Sequence, residues 1–177
     1  MSSLKFYNTL TRRKDEFTPI KKNEVSIYSC GPTVYGHPHI GNLRAFVFYD
    51  LLRRYLKYKG FSIKHVMNIT DVDDKTIKNS AKERLTLKEF TEKYTKLFFA
   101  DLKTMGIEKF EMYPRATDCI DEMVRIIKIL IAKGIAYKGK DKSIYFNVAK
   151  FHDYGKLSKL DIKNLKVGAR VAQDEYT

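Results

Sequence analysis

The sequence predicts an α/β fold built on a parallel sheet, and three observations carry that prediction. Val25-Ser-Ile-Tyr-Ser-Cys30 alternates as a short strand does. From about Asn42 to Lys59 the apolar residues Leu43, Phe46, Val47, Leu51, Leu52, Tyr55 and Leu56 recur at helical spacing. Phe61 to Met67 then reads as a second strand. Strand, helix and strand in that order open a parallel α/β sheet.

The punctuation agrees with this order. Gly31-Pro-Thr-Val-Tyr-Gly36 is rich in turn residues and separates the first strand from the helix. Gly60 stands where a helix end wants positive φ. Asp71-Val-Asp-Asp74 follows the second strand, at the carboxyl edge where open α/β sheets bind ligands. Thr86-Leu-Lys-Glu89 is a capping box that opens a helix to about Met105, with Gly106 as its stop. A further helix is predicted from Asp118 to Lys133, before Gly134. Its Ile120, Met123, Val124, Ile127, Leu130 and Ile131 mark a face expected to be buried. Ile135-Ala-Tyr137 and Ser143-Ile-Tyr-Phe-Asn-Val148 flank a polar turn and predict a hairpin. The remainder, to Thr177, reads as a polar loop.

Composition sets outer bounds. With 177 residues, 44% hydrophobic and 13% aromatic, the chain has the make-up of one globular domain, or of one domain with a small insertion. No apolar run approaches the roughly 20 residues of a membrane span, and the first residues lack a signal-like apolar core. A cytoplasmic location is therefore expected. Cys30 and Cys119 make no disulfide framework. The net charge is +13, carried by 25 Lys and 9 Arg. That excess suits a polyanionic partner such as RNA, and it equally suits a solvated lysine-rich surface.

His37-Pro-His-Ile-Gly-Asn42 carries the chemistry. A lone histidine more often just lines a turn. Here a strand, a Gly-Pro turn, an H-x-H-x-G pattern and a helix follow one another, and that arrangement favours an anion site. Backbone N–H groups and the helix dipole attract phosphate, glycine permits close approach, and imidazole can donate to oxygens that gain charge.

On these residues the chain resembles a known family. His39-Ile-Gly-Asn42 resembles the HIGH signature of class I aminoacyl-tRNA synthetases, with Asn42 in place of the second histidine. Cys30-Gly-Pro-Thr-Val-Tyr35 resembles the cysteinyl-tRNA synthetases in particular. Phe6-Tyr-Asn-Thr-Leu-Thr-Arg12, Asn68-Ile-Thr-Asp-Val-Asp-Asp-Lys75 and Pro114-Arg-Ala-Thr-Asp118 add three further matches, and the likeness runs from about Leu4 to the last residue. It implies that residues 1–134 form the first half of a Rossmann-like, parallel-sheet class I catalytic domain. Residues 135–177 then begin the connective insertion.

The resemblance implies a ligase that joins cysteine to tRNA(Cys) with ATP as substrate, acting as a monomer and without a membrane. His37, His39 and Asn42 become the catalytic contacts to ATP phosphates. Gly31, Thr33, His39, Gly41 and Asn42 become the nucleotide-binding set, and Gly31 and Thr70 border the amino acid. Asp71 can face the ammonium group of the substrate, or Asp71, Asp73 and Asp74 can serve the following helix. Cys30 is implied as a zinc ligand, where the residues alone would allow a small buried thiol. A soft thiolate binds zinc far better than a hydroxyl does, so a zinc-bound site can reject serine without editing. Cys119 has no metal-type spacing and reads as structural.

The remaining zinc ligands, a KMSKS-type lysine loop and an anticodon-binding domain are expected beyond Thr177. The 177 residues are then a piece of a longer protein or a short paralogue, and alone they are expected to be inactive, to hold zinc weakly and to aggregate. Two rival readings remain open: a cysteine ligase that uses an amino-sugar acceptor, as in mycothiol biosynthesis, and a non-catalytic RNA-binding module.

Overall fold

The computed structural model describes residues 4–159. The chain divides into two compact units, one spanning Pro19–Arg125 and one gathering the residues up to Thr18 with those from Ile126 onward. In the latter, β1 (Lys5–Asn8) and β2 (Arg13–Glu16) form an antiparallel hairpin from Lys5↔Glu16 to Asn8↔Arg13. Its charged strands, Arg13-Lys-Asp-Glu16 above all, carry no alternating apolar signal from which periodicity predicts a strand.

The unit Pro19–Arg125 holds the predicted parallel pair. β3 (Glu24–Ser29) and β4 (Ser62–Met67) run parallel in register from Glu24↔Ser62 to Ser29↔Met67, and α1 (Ile40–Tyr58) connects them. β4 is paired on its other side as well. Met67 N–H donates to Met112 O at 3.1 Å, Ile69 N–H to Pro114 O at 2.8 Å and Ala116 N–H to Ile69 O at 3.0 Å. Residues 112–115 thus add a third parallel segment, with bridges Val66↔Met112 and Ile69↔Arg115. Periodicity could not reveal it, because Pro114 breaks the strand pattern and the pairing partner lies more than 40 residues away.

Local chemistry explains the helix ends. α1 begins two residues before the expected Asn42, because His39 and Asn42 cap it reciprocally. It stops at Gly60, φ 87°. α2 (Asp74–Lys82) is capped by Asp73, whose Oδ1 accepts from Lys75 N–H at 2.7 Å. α3 (Leu87–Thr104) has the predicted box, with Glu89 N–H donating to Thr86 Oγ1 at 3.2 Å and Thr86 N–H to Glu89 Oε2 at 3.0 Å. Gly106 closes it at φ 68°. Val34, Phe46, Met67, Ile69, Phe98, Leu102 and Phe110 form the core between these elements.

A polar network, buried at Arg53, His65 and Ser29 and closed by the more exposed Glu111, locks the sheet to α1. Arg53, 1% exposed, donates to both carboxylate oxygens of Glu111, at 2.7 and 2.9 Å. Glu111 also accepts from His65 N–H at 2.6 Å, and His65 Nε2 lies 2.7 Å from Ser29 Oγ. The Arg53 hydrogen bonds hold the Glu111 carboxyl down to about 2. Burial, helped by the Arg53 charge, pushes His65 down to about 4. Its ring stacks on Phe110 at 4.0 Å. This network fixes Ser29, the residue before Cys30.

α4 (Ile120–Ala132) follows a 3₁₀ turn at Thr117–Cys119. The expectation of a buried face on it is corrected, because none of its residues is buried. Periodicity reports a face that suits an apolar neighbour but says nothing about whether the residues at hand supply one. β5 (Ala136–Lys138) and β6 (Ile144–Phe146) make the predicted hairpin, with Tyr137 stacked on Tyr145. Residues 148–150 form a 3₁₀ turn, and the expected polar loop from residue 160 to Thr177 lies outside the described residues. No described helix is long and apolar enough to cross a membrane.

Candidate active site

A cleft of about 420 Å³ opens beyond the carboxyl ends of β3 and β4, within the unit Pro19–Arg125. Such volumes suit a small-molecule ligand. Of the residues expected from sequence, Cys30, Gly31, Thr33, His37, Gly41 and Asn42 line it together. His39 and Thr70 do not belong to that lining. The floor is apolar, with Phe46 edge-on to Phe98 at 5.0 Å.

Gly31 and Thr70 hold the loop in place. Thr70 N–H donates to Pro32 O at 2.9 Å and Val34 N–H to Thr70 O at 3.1 Å, so the loop after β3 runs on as a parallel partner of the segment after β4. Asn68, which the sequence reading quoted but gave no role, ties this joint together. Its Oδ1 accepts from Gly31 N–H at 3.0 Å and from Tyr28 Oη at 3.1 Å, and its Nδ2 donates to Thr70 Oγ1 at 2.9 Å. A Cβ on Gly31 would lie 1.7 Å from Asn68 O, so no side chain fits there.

The anion site at α1 differs from the expectation of free backbone donors. Gly41 N–H donates to His39 Nδ1 at 3.1 Å, and His39 N–H donates to Asn42 Oδ1 at 3.2 Å. Because Nδ1 accepts, a neutral His39 ring carries its proton on Nε2, free to donate outward. Asn42 likewise keeps its Nδ2 as a donor. Gly41 makes room for the cap itself, since a Cβ there would lie 2.9 Å from the His39 ring. An anion in the cleft must therefore rely more on side-chain donors than on the first-turn amides. His37 stands edge-on to Tyr94, ring centroids 5.8 Å apart.

Asp71 is buried and serves the structure. It accepts from Thr117 N–H at 3.0 Å and from Thr117 Oγ1 at 2.6 Å, anchoring the turn before α4. Asp73 caps α2 and Asp74 lies in its first turn, the helix role weighed from sequence. The sequence reading missed Tyr35, Lys75 and Tyr94, which also line the cleft. Lys75 sits inside a quoted motif, and its position over Tyr35 comes only from the fold.

Cys30 is an exposed free thiol, with its Sγ 3.7 Å from Gly31 O. Its soft sulfur suits zinc. Among the described residues no group of three or more His, Cys, Asp or Glu side chains gathers to hold a metal, so these residues offer one donor rather than a closed set. Cys119 lies half-buried in the 3₁₀ turn.

A βαβ unit with a ligand-sized cleft at the carboxyl edge of its strands defines an α/β protein of the kind that binds ligands at that edge. Residues 16–176 match the family described as tRNA synthetases class I (C) catalytic domain. The chain is 53% identical over 176 residues to the cysteine–tRNA ligase of Leptospira interrogans serogroup Icterohaemorrhagiae serovar Lai (strain 56601), covering 99% of this chain and 37% of that protein. It is 51% identical over 173 residues to the enzyme of that name from Methanosarcina mazei, covering 98% and 36%. The Brachyspira hyodysenteriae protein of the same name is 52% identical over 178 residues, covering 99% and 37%. The chain belongs to the class I (C) tRNA synthetase catalytic-domain family. It spans little more than a third of the length of these curated relatives.

Proposed function

We propose that this chain is the part of a cysteine–tRNA ligase that carries the ATP- and cysteine-binding half of its active site. The observation that carries the reading is the single cleft collecting Cys30, Gly31, Thr33, His37, Gly41 and Asn42 beyond the parallel strands. In the reaction, an oxygen of the cysteine carboxylate attacks the α-phosphorus of ATP. Cysteinyl-adenylate forms and pyrophosphate leaves with the electron pair of the broken P–O bond. A hydroxyl at the 3′ end of tRNA(Cys) then takes the cysteinyl group and AMP departs.

The chain's own residues position reactants and stabilise charge; none forms a covalent intermediate. His39 offers Nε2–H, and His37 and Asn42 offer further donors, to phosphate oxygens as charge builds. Gly31 and Thr33 form the wall beside Cys30, and Thr70 supports that wall from the strand behind. Cys30 supplies one zinc donor; zinc, when bound, provides a soft Lewis acid that prefers the thiol of cysteine to the hydroxyl of serine. On this reading the other zinc donors and the lysine loop belong to the two thirds of such a protein that the chain does not span. Residues 1–134 are then the first half of a Rossmann-like domain and residues 135–177 the start of its connective insertion. The complete protein is a cytoplasmic monomer.

The relatives are cysteine–tRNA ligases, which supports tRNA over an amino sugar as the acceptor. Offering labelled cysteine and ATP to the complete protein with tRNA and, separately, with an amino-sugar acceptor tests this. We expect label on tRNA alone. Label on the amino sugar would assign the chain to the other cysteine ligase.

A further inference from the structure

Among the described residues Lys75 is the one Lys or Arg side chain lining the cleft, and no carboxylate lines it with Lys75. Its ammonium sits over the ring of Tyr35, 5.1 Å from the centroid, and Tyr35 lines the same cleft. The Tyr35 carbonyl in turn accepts from Asn79 Nδ2 on α2 at 3.5 Å, so ring and helix are tied together. The position of Lys75 in α2 is locally unfavourable. It is the second helical residue after the Asp73 cap, and a cation there opposes the positive end of the helix dipole. Places where a sequence breaks a local rule tend to be functional. Nearby, the Gly41 amide is already taken by its His39 cap, so a polyphosphate in the cleft needs charge from side chains.

We propose that Lys75 is a binding residue for the polyphosphate chain of the nucleotide, held over the Tyr35 ring until the ligand arrives. The proposal rests on the reading of this cleft as an ATP site. A cation–π contact at an exposed ring is weak enough to yield to a phosphate, and it restricts a long flexible side chain beforehand. Lys75 is exposed, so its replacement leaves the core untouched.

The test compares Lys75→Met and Lys75→Arg with the unaltered complete protein, using two readouts. Equilibrium binding of ATP, by calorimetry, reads the site whether or not the protein turns over. Cysteine-dependent ATP–pyrophosphate exchange gives KM separately for ATP and for cysteine. Removing a charge-assisted phosphate contact should weaken ATP binding and raise KM for ATP by about 10- to 100-fold. KM for cysteine and the melting temperature should hold, and Lys75→Arg should recover much of the loss. ATP affinity within about twofold of the unaltered protein in Lys75→Met, or a rise confined to KM for cysteine, would overturn the proposal. Failure of the unaltered protein to exchange while it still binds ATP through Lys75 would sink the ligase reading and leave this one standing.

Discussion

Gly31 occupies the point where the end of β3 passes closest to the segment after β4, and the contact is backbone against backbone. A methyl group there meets Asn68 O at 1.7 Å, a clash that no rotamer change relieves. Gly31→Ala should therefore lower stability by about 1–3 kcal/mol or more, read as a shift of the urea midpoint. A change under about 0.5 kcal/mol would mean the loop can move aside freely. The wider motif around Gly31 was readable, as were His39 and Asn42, because their spacing is a local signal. Their reciprocal cap was not. It depends on which side-chain atoms turn inward, and that arrangement leaves Nε2 of His39 and Nδ2 of Asn42, more than the Gly41 amide, as donors. The role of Asn68 is hidden in the sequence for the same reason, since its three hydrogen bonds join Tyr28, Gly31 and Thr70 across the sheet.

Among the elements, α3 was legible from end to end because Thr86, Glu89 and Gly106 are start and stop signals in the sequence itself. The segment 112–115 was not, since its identity as a sheet member lies in bonds to β4. β4 also carries the clearest pH signature. His65 titrates at about 4 in the fold, against about 6.5 in an unfolded chain. As pH falls below about 6.5 the unfolded state takes up the proton first, so stability declines toward pH 4. Glu111 acts lower down. Its carboxyl at about 2 stays charged while the unfolded carboxyl protonates, so its contribution is lost as pH falls through the range below about 4.5. Urea titrations at about pH 7 and about pH 5 should differ by about 2 kcal/mol on account of His65. His65→Phe, which keeps a ring against Phe110, should flatten that difference whatever its effect at neutral pH. An equally steep profile in the variant would place the acid sensitivity elsewhere.

At the scale of the whole molecule, one face of α1 remains apolar and exposed, with Ile40, Val47, Leu51, Tyr55 and Tyr58 along it. Such a stripe suits cover by further protein, which agrees with a chain that spans about a third of its relatives. The net charge of +13 suits a polyanion the size of tRNA without identifying it. The central claim is narrower: that the cleft beyond β3 activates cysteine with ATP, using the imidazole at the start of α1. Cysteine-dependent ATP–pyrophosphate exchange by the complete protein measures this most directly, with His39→Ala beside the cap-preserving His39→Asn. The account predicts exchange with cysteine and not with serine, and a fall of about 10²-fold or more in both variants at a temperature where both stay folded. Exchange at the unaltered rate in folded His39→Asn, or no cysteine-dependent exchange at all, would contradict it.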